Sequence, residues 1–314
     1  MASGVEEGAG LSRSETAKIV RVGVVGLGRA WADRYRSPMT RPGVGARVVA
    51  VCDPVVHRSE AEADRLRCDA VEGVTALIDR PDVDAVLVLD DPWFGAWPLG
   101  AALDRDKPVF CAFGPRAALD ELARRPSSRA GTPVMIELPR RFSAETLRLR
   151  ELLATELGPA RRARARARAR GPSADPEVSD LAIGMVDWCG SLFQDGPGPA
   201  RLSRKVDRDG QALRVVELQS PGGASSRLTL VAGGGDRPSA SLAVEADRGW
   251  ARIDSRGRLR WSDGSREVEE SLPDGPPTEL MIDHFLRLVR GEQSLAPGPE
   301  ELARLDAGGL TFEL

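Results

Sequence analysis

The sequence is poor in side chains that transfer protons near neutral pH. Its 314 residues include two histidines, His57 and His284. Lysine and arginine together number 44, and only three of these are lysines. Arginine stays protonated at neutral pH, and histidine is the side chain whose ordinary pKa lies closest to that range. A catalytic site in this chain therefore has few candidates for a general base.

Cysteine is scarce as well. The four cysteines, Cys52, Cys68, Cys111 and Cys189, are far apart and form no Cys-x-x-Cys pair. Cys52 and Cys111 lie in apolar runs, where a free thiol behaves as a small hydrophobic side chain. We expect neither a disulfide framework nor a bound metal.

Long apolar runs and a strong excess of one charge are both absent. No stretch approaches membrane-spanning length, and the formal net charge is −3. A chain with this balance is not built to coat nucleic acid or an anionic membrane. Residues 1–17 contain Gly, Ser and Glu where a signal peptide needs a basic and then an apolar segment. We expect a disordered tail there and a cytoplasmic protein without a membrane partner.

The first half of the chain contains a series of short valine-rich runs separated by amphipathic stretches. The runs cover residues 20–26, 46–53, 84–90, 107–113 and 133–138. Short strands that alternate with helices are typical of βαβ units and predict a parallel sheet with helices on both faces. We expect an α/β protein with a Rossmann domain over residues 18–138.

The first run ends in a glycine turn, VRVGVVGLGRAW at 20–31. Two glycines at this spacing let the backbone turn sharply and lie close to a pyrophosphate, and the next helix aims its free N–H groups at the phosphates. We expect Gly26, Leu27, Gly28 and Arg29 to contact a dinucleotide. Asp53, at the end of the second run, can accept hydrogen bonds from an adenosine ribose.

Two residues near this turn leave alternatives open. Trp31 occupies a position where a small residue is expected, because the helix packs closely on the strand there. Its ring can close the pyrophosphate site or turn outward and leave a looser turn, so we expect weakened cofactor binding. Arg58 either accommodates a 2′-phosphate or lies in solvent at the start of a helix.

After residue 138 the pattern changes to that of an α+β domain, expected over 139–314. A leucine-rich helix at 143–158 precedes several short alternating runs, and an amphipathic helix at 278–292 follows them. The runs predict strands of one open, mainly antiparallel sheet. They cover residues 161–170, 225–232, 239–246, 249–255 and 257–264.

The run RRARARARAR at 161–170 alternates arginine with alanine. Six arginines in ten residues could hold phosphates, but the alternation is that of a strand with one wet face and one face of small residues. No aromatic residues are interleaved for base stacking. We favour the structural interpretation, and a nucleic-acid partner is the least favoured of three functional hypotheses.

Several segments together resemble the Gfo/Idh/MocA family, the glucose–fructose oxidoreductase and inositol dehydrogenase group. They are VGVVGLG at 22–28, AVCDP at 50–54, DVDAVLVL at 82–89, AALDRDKPVFC at 101–111, PRRFSAETLRLRELLATELGP at 139–159 and a late helix that ends in RGE at 290–292. The resemblance implies NAD or NADP in the first domain, and oxidation of a sugar or cyclitol hydroxyl that faces the nicotinamide.

The sequence departs from the family pattern where the chemistry is expected. Phe113 stands where the family's Cys-Glu-Lys-Pro segment has its lysine, and Gly184 stands where the family's Asp-x-Gly-x-His helix has its histidine. Asp180 begins that helix pattern and Asp187 follows one turn after Gly184, on the same face. Asp180 and Asp187 are therefore the remaining candidates for a catalytic group.

The loop after the fourth strand completes the predicted site. We expect Asp91 and Pro92 to contact the cofactor. Trp93 and Trp97, together with Phe113, either stack a ring-shaped ligand or fill the space that the missing polar groups would occupy.

Three hypotheses follow from these residues. The first is an NAD(P)-binding oxidoreductase homologue, derived from enzymes acting on sugars or cyclitols and catalytically impaired, in effect a pseudoenzyme. The second is a non-catalytic protein that binds a small sugar-like ligand or serves as a scaffold, and that pairs its open sheet with a like subunit to form a homo-oligomer. The third is the nucleic-acid partner described above.

Overall fold

A computed structural model describes the chain over most of its length. The described residues are 18–89, 93–125, 131–169, 176–196, 200–206, 212–232, 239–273 and 275–307. Within them lie a parallel sheet in the first half of the chain and a larger mixed sheet in the second. The tail predicted at 1–17 lies outside the described residues.

The first sheet consists of six short strands. They are β1 (Val20–Val25), β2 (Ala46–Cys52), β3 (Asp69–Ala70), β4 (Ala85–Leu89), β5 (Val109–Ala112) and β6 (Val134–Ile136). All pair in parallel in the order β3-β2-β1-β4-β5-β6. Every residue of β4 is buried, as expected for a strand covered on both faces. The five predicted strands are confirmed, and the edge strand β3 is an addition.

Helices connect these strands across both faces of the sheet. After the glycine turn comes a π-helical turn (Trp31–Tyr35) that runs directly into α1 (Arg36–Thr40). The others are α2 (Val56–Leu66), α3 (Val74–Ile78), α4 (Trp97–Leu103) and α5 (Pro115–Ala123).

The second sheet has eight strands. They are β7 (Ala160–Ala169), β8 (Ala200–Val206), β9 (Ala212–Gln219), β10 (Ser225–Ala232), β11 (Ser239–Ala246), β12 (Gly249–Ile253), β13 (Leu259–Ser262) and β14 (Glu267–Glu270). Their order is β14-β13-β12-β11-β7-β10-β9-β8, and all neighbours are antiparallel except β7 and β10. The predicted α+β arrangement is confirmed, with one parallel pair at its centre.

The arginine-rich run forms the central strand β7. The alanines at 163, 165, 167 and 169 are buried, and the arginines at 162, 164 and 166 are exposed. A bulge at Glu245 and Ala246 of β11 shifts the register opposite the start of β7, so Arg161 and Arg162 are both exposed. The alternation thus divides a wet face from a face of small residues, as the sequence indicates.

The remaining helices cover the inner faces of the two sheets. A 3-10 turn (Pro139–Phe142) leads into α6 (Ala144–Thr155), and α7 (Pro176–Gly190), α8 (Pro277–Val289) and α9 (Pro299–Ala307) follow. Helix α7 packs on the alanine face of β7. Helix α8 instead joins the core of the first sheet, where Phe285 contacts Phe110 at 5.7 Å between ring centroids.

None of the helices in the described ranges has the length and apolar character that a membrane crossing needs. The same ranges contain no group of three or more His, Cys, Asp or Glu side chains arranged to hold a metal ion.

Candidate functional site

The glycine turn lies at the carboxyl end of β1 and reaches the surface in its second half. Gly26 has φ +88°, a conformation that favours glycine, and its N–H donates to the Cys52 carbonyl at 2.9 Å. Gly26 and Leu27 are buried, Gly28 is half-buried and Arg29 is exposed. The part of the turn that a ligand can reach is therefore Gly28 and Arg29, at the start of the following helix.

Asp53 fastens this turn to the end of β2. Its Oδ2 accepts the Leu27 N–H at 2.7 Å, and its Oδ1 accepts the Val55 N–H at 2.9 Å. The Arg58 guanidinium donates to both oxygens at 3.1 Å. The Asp53 side chain is fully buried, whereas that of Arg58 is 46% exposed. The group that faces solvent at this corner is thus the cation and not the carboxylate.

Trp31 points into the core and away from the turn. It is fully buried with Tyr35 and Met39, in the apolar cluster that joins the first sheet to α8. The Arg36 N–H donates to the Trp31 carbonyl, five residues earlier, and this hydrogen bond closes the wide turn of a π-helix. This turn brings residues 31, 35 and 39 onto the buried side. Of the two alternatives predicted for this ring, the outward-facing one is therefore wrong.

Asp180 caps α5, the helix that follows β5. Its Oδ1 accepts the Arg116 N–H at 2.8 Å. A Cβ built on Gly114 would lie 2.7 Å from Asp180 Oδ2, and Gly114 has φ +101°. The carboxylate therefore occupies the space that the glycine leaves, and satisfies one of the free N–H groups at the helix start.

Phe113 and Gly184, the predicted positions of the family's lysine and histidine, carry no titratable side chain. Phe113 packs partly buried against the apolar core at the end of β5. Gly184 is half-buried on α7, and a Cβ built on it would meet no atom within 4 Å. Space for a larger side chain is present at Gly184, but no proton-transferring group fills it.

Asp187 belongs to a buried ion pair and not to an open site. Arg141 Nη2 lies 2.5 Å from Asp187 Oδ1, and the two side chains are 4% and 1% exposed. Burial raises the pKa of the Asp187 carboxyl, and the Arg141 guanidinium acts against that rise. Arg141 also donates to the Leu295 carbonyl at 3.0 Å and to Glu301 at 3.2 Å. Sequence reasoning missed Arg141 because its partner is 46 residues away.

A second carboxylate, Glu137, also escaped sequence reasoning. It follows β6 at the same edge of the sheet, and its N–H donates to the Cys111 carbonyl at 2.8 Å. Its side chain, 14% exposed, forms an ion pair with Arg34 of the π-helical turn. This carboxylate is thus already paired with the Arg34 guanidinium.

Neither histidine nor Lys107 supplies a base at the carboxyl ends of β5 and β6. Lys107 precedes β5, and its Nζ donates to the Val83 carbonyl at 2.5 Å. His57 is 91% exposed on α2. His284 is buried on α8, and its Nδ1 accepts the Leu295 N–H at 3.0 Å.

The loop after β4 is described only in part. Asp91 and Pro92 lie outside the described residues. Trp93 and Trp97 are 80% and 52% exposed, while Phe113 is half-buried. Two cavities of about 340 and 410 Å³ lie elsewhere, and neither is lined by any of these three aromatic residues.

The two ends of this sheet edge differ in how they fit a dinucleotide. The Gly26 turn reaches the surface at Gly28 and is held in place by Asp53, so the residues there fit a pyrophosphate beside a helix start. At the end of β5, Phe113 and Gly184 carry no titratable group, and Asp180 is bound to a backbone N–H. The residues of the turn fit the binding of a nicotinamide cofactor.

Comparisons with known proteins agree with this geometry. The Gfo/Idh/MocA family model, described as an oxidoreductase family with an NAD-binding Rossmann fold, matches residues 20–112. A dTDP-3,4-didehydro-2,6-dideoxy-α-D-glucose 3-reductase of Saccharopolyspora spinosa is 37% identical over 114 residues, 34% of each chain. An inositol 2-dehydrogenase of Mycolicibacterium gilvum is 33% identical over 144 residues, 44% of this chain and 41% of that one.

The alignments thus span between about a third and two fifths of the length of these curated relatives. The fold likeness extends further. The crystal structure of a 3-ketoreductase from Actinomadura kijaniata, in complex with NADP and TDP-benzene, has a TM-score of 0.66 at 17% identity. It covers 92% of this chain and 95% of that one. The family model thus matches the glycine turn and strands β1 to β5, and the solved structure shares the fold.

Proposed function

We propose that this chain binds a nicotinamide dinucleotide at the Gly26 turn, and that it derives from sugar or cyclitol oxidoreductases whose proton-transfer groups it has lost. The observation that carries the proposal is the contrast between a glycine turn that Asp53 fastens and that reaches the surface at Gly28, and residues without a titratable group at Phe113 and Gly184. Both NADP in the related 3-ketoreductase structure and the names of the curated relatives support this class of ligand.

We further infer that NADP is preferred over NAD. A carboxylate at the end of β2 normally accepts hydrogen bonds from the ribose hydroxyls, whereas a nearby arginine accommodates a 2′-phosphate. Here the Asp53 carboxylate is buried beneath Arg58 and accepts bonds from Leu27, Val55 and Arg58. The exposed Arg58 guanidinium would therefore lie next to the 2′ position of the adenosine ribose.

The chain's own residues set the limits of the chemistry. A bound nicotinamide supplies a carbon that accepts or donates hydride. Oxidation of a hydroxyl also needs a group that accepts its proton, which commonly contributes about 10²–10⁴-fold to the rate. Phe113 and Gly184 offer none, and Asp180 would have to give up its bond to the Arg116 N–H. We propose that a sugar-like ligand can bind but that turnover is impaired.

The open face of the second sheet supports association with a second copy of this chain. One row across the strands places like charges directly opposite each other, Arg164 beside Arg227 and Arg252 beside Arg260, an arrangement that destabilises an isolated sheet. The same row carries Glu217 and Glu269 nearer its ends. Within the chain Glu217 lies 3.7 Å from Arg227 and Glu269 lies 3.6 Å from Arg260. A second copy packed face to face can add further carboxylates to this arginine-rich row.

The binding proposal is tested by titrating NADPH and NADH into the protein while following nicotinamide fluorescence. We expect saturable binding of both, with NADPH tighter. Arg58→Gln should weaken NADPH about tenfold or more, because a charge-assisted hydrogen bond contributes about 1.5–3 kcal/mol, and should leave NADH nearly unchanged. The matched control is Arg65→Gln on the same helix, whose side chain is 62% exposed.

Three results would contradict parts of this account. Absence of saturable binding of either nucleotide up to millimolar concentration would contradict the proposed function. Equal losses for NADH and NADPH in Arg58→Gln would contradict the preference alone. A molar mass of one chain by light scattering at low salt would contradict the proposed self-association.

A further inference from the structure

A polar cavity of about 410 Å³ lies at the far end of α7 from Asp180. It is bounded by α6, by residues 191–196 after α7, by residues 294–296 and by α9. Small-molecule sites occupy about 300–1,000 Å³, usually with mostly apolar walls. Three arginines line this cavity instead, Arg141, Arg150 and Arg304, and they differ in what they contact.

Arg141 and Arg304 have partners within the chain. Arg141 is held by Asp187, by Glu301 and by the Leu295 carbonyl. Arg304, 42% exposed, lies 3.5 Å from Glu300 on its own helix, and a Cβ built on Gly196 would lie 3.0 Å from its Nη1. Arg304 therefore reaches across the cavity mouth with a weak partner.

Arg150 differs from both. Its Nη1 is buried and has no hydrogen-bond partner among the described residues. Within the same part of the chain, no carboxylate oxygen lies within the 4.0 Å of an ion pair, and burial together with the Arg141 charge lowers the pKa of Arg150. A buried donor on a charged group is costly when it is left unpaired.

The carboxylates that line the cavity are directed elsewhere. Glu301 accepts from Arg141 and from the Gly298 N–H at 3.0 Å. The Asp195 carboxylate lies against the α-carbon of Gly222, in the turn between β9 and β10. The Arg150 guanidinium, whose buried Nη1 has no partner among the described residues, thus lines the cavity together with that of Arg304, and neither of these two carboxylates is bonded to Arg150.

We propose that this cavity binds a small anion with phosphate or carboxylate groups, held between Arg150 and Arg304. Its site is separate from the Gly26 turn, and the proposal does not depend on nicotinamide binding. Arginine suits such a ligand because its planar fork pairs with two oxygens of a carboxylate or phosphate. An anion there joins α6 to α9 and so fastens the C-terminal helix to the body of the second domain.

Thermal unfolding at constant ionic strength tests the proposal, with sodium chloride replaced stepwise by inorganic phosphate and, separately, by citrate. At ten times the dissociation constant we expect a rise in Tm of about 2–5 °C. Arg150→Gln and Arg304→Gln should each remove most of this rise. Arg304 is partly exposed, so its variant remains informative if Arg150→Gln fails to fold.

Inorganic phosphate can also bind at the Gly26 turn, so Arg58→Gln is the matched control. The proposal predicts that this variant keeps the rise in Tm. A rise that disappears in Arg58→Gln and persists in the variants at 150 and 304 would contradict it, as would the same Tm in phosphate, citrate and chloride. A response to only one of the two anions identifies which ligand chemistry the cavity takes.

The chain's two histidines provide a second readout by NMR. Burial, and after it the positive charges of Arg287 and Arg150, lower the pKa of His284, and Asp283 raises it. An anion beside Arg150 should therefore raise the pKa of His284, while His57, exposed on α2, reports on the nucleotide end. A phosphate-dependent shift at His57 alone would overturn the proposal.

Discussion

Two ends of one sheet edge differ in what their residues can offer a ligand. At β1 and β2, backbone geometry dominates: Gly26 has a positive φ, and the Asp53 carboxylate is bonded to the turn that it supports. At β5 and α7 the groups are the phenyl ring of Phe113, the bare α-carbon of Gly184 and two carboxylates that are already bonded. Binding through backbone groups tolerates substitution of neighbouring side chains, whereas proton transfer depends on the side chain itself.

Loss of Asp187 should have the largest effect. Asp187→Ala leaves Arg141 buried without its main partner, and breaking a buried ion pair costs about 3–5 kcal/mol. Urea unfolding measures this loss in the free energy of unfolding. The double variant Arg141→Met/Asp187→Leu should recover much of it. A loss below about 1 kcal/mol in Asp187→Ala would mean that the carboxylate is not committed to the pair.

The next largest effects are expected from a matched pair of glycine variants, one at each end of the sheet edge. Gly26→Ala should cost about 1–2 kcal/mol, because a left-handed conformation is strained for other residues, and should weaken NADPH binding about tenfold or more. Gly184→Ala lies within a helix and faces open space, so it should gain about 0.5–1 kcal/mol and leave binding unchanged. Equal effects on NADPH binding would remove the distinction between the two ends.

The helix cap at Asp180 should have a smaller effect. Asp180→Ala removes the acceptor of the Arg116 N–H, and loss of a cap costs about 0.5–2 kcal/mol. Asp180→Asn keeps an acceptor oxygen and should lose less. If any reduction of NADP by a sugar is detected in the wild type, its abolition in Asp180→Asn at unchanged stability would identify Asp180 as a base and contradict its role as a cap.

Gly184→His should have the smallest effect on stability. The open space beside Gly184 can take a larger side chain, so the free energy of unfolding should change by less than about 0.5 kcal/mol, as at most unconstrained positions. Chemical unfolding beside Gly184→Ala checks this. A loss above about 2 kcal/mol would show that the position cannot hold the histidine of the family pattern.

Much of the fold was predictable because burial determines the order of apolar and polar residues along these strands. Val86 and Val88 lie in a strand buried on both faces, which gives a continuous apolar run, and Arg164 and Ala165 face opposite sides of β7. The two-residue strand β3 is too short to show an alternation of apolar and polar residues. The parallel pairing of β7 with β10 depends on chain connections and leaves no local signal.

The site was less predictable because its side chains are fixed by distant partners. The orientation of Trp31 depends on a π-helical turn and on α8, which packs from the other end of the chain. Asp180 and Asp187 share a helix face, but one caps α5 and the other pairs with Arg141. Spacing along a helix identifies neighbours on that helix and not the groups on the elements that pack against it.

Single-turnover absorbance at 340 nm tests the central claim most directly. The full chain is mixed with a stoichiometric amount of NADP⁺ or NAD⁺ and an excess of myo-inositol or another sugar, after fluorescence has established that the reduced form of the same cofactor binds. The account predicts that the cofactor binds and stays unreduced. A burst equal to one reduced cofactor per chain would show that proton transfer survives, and would contradict the account.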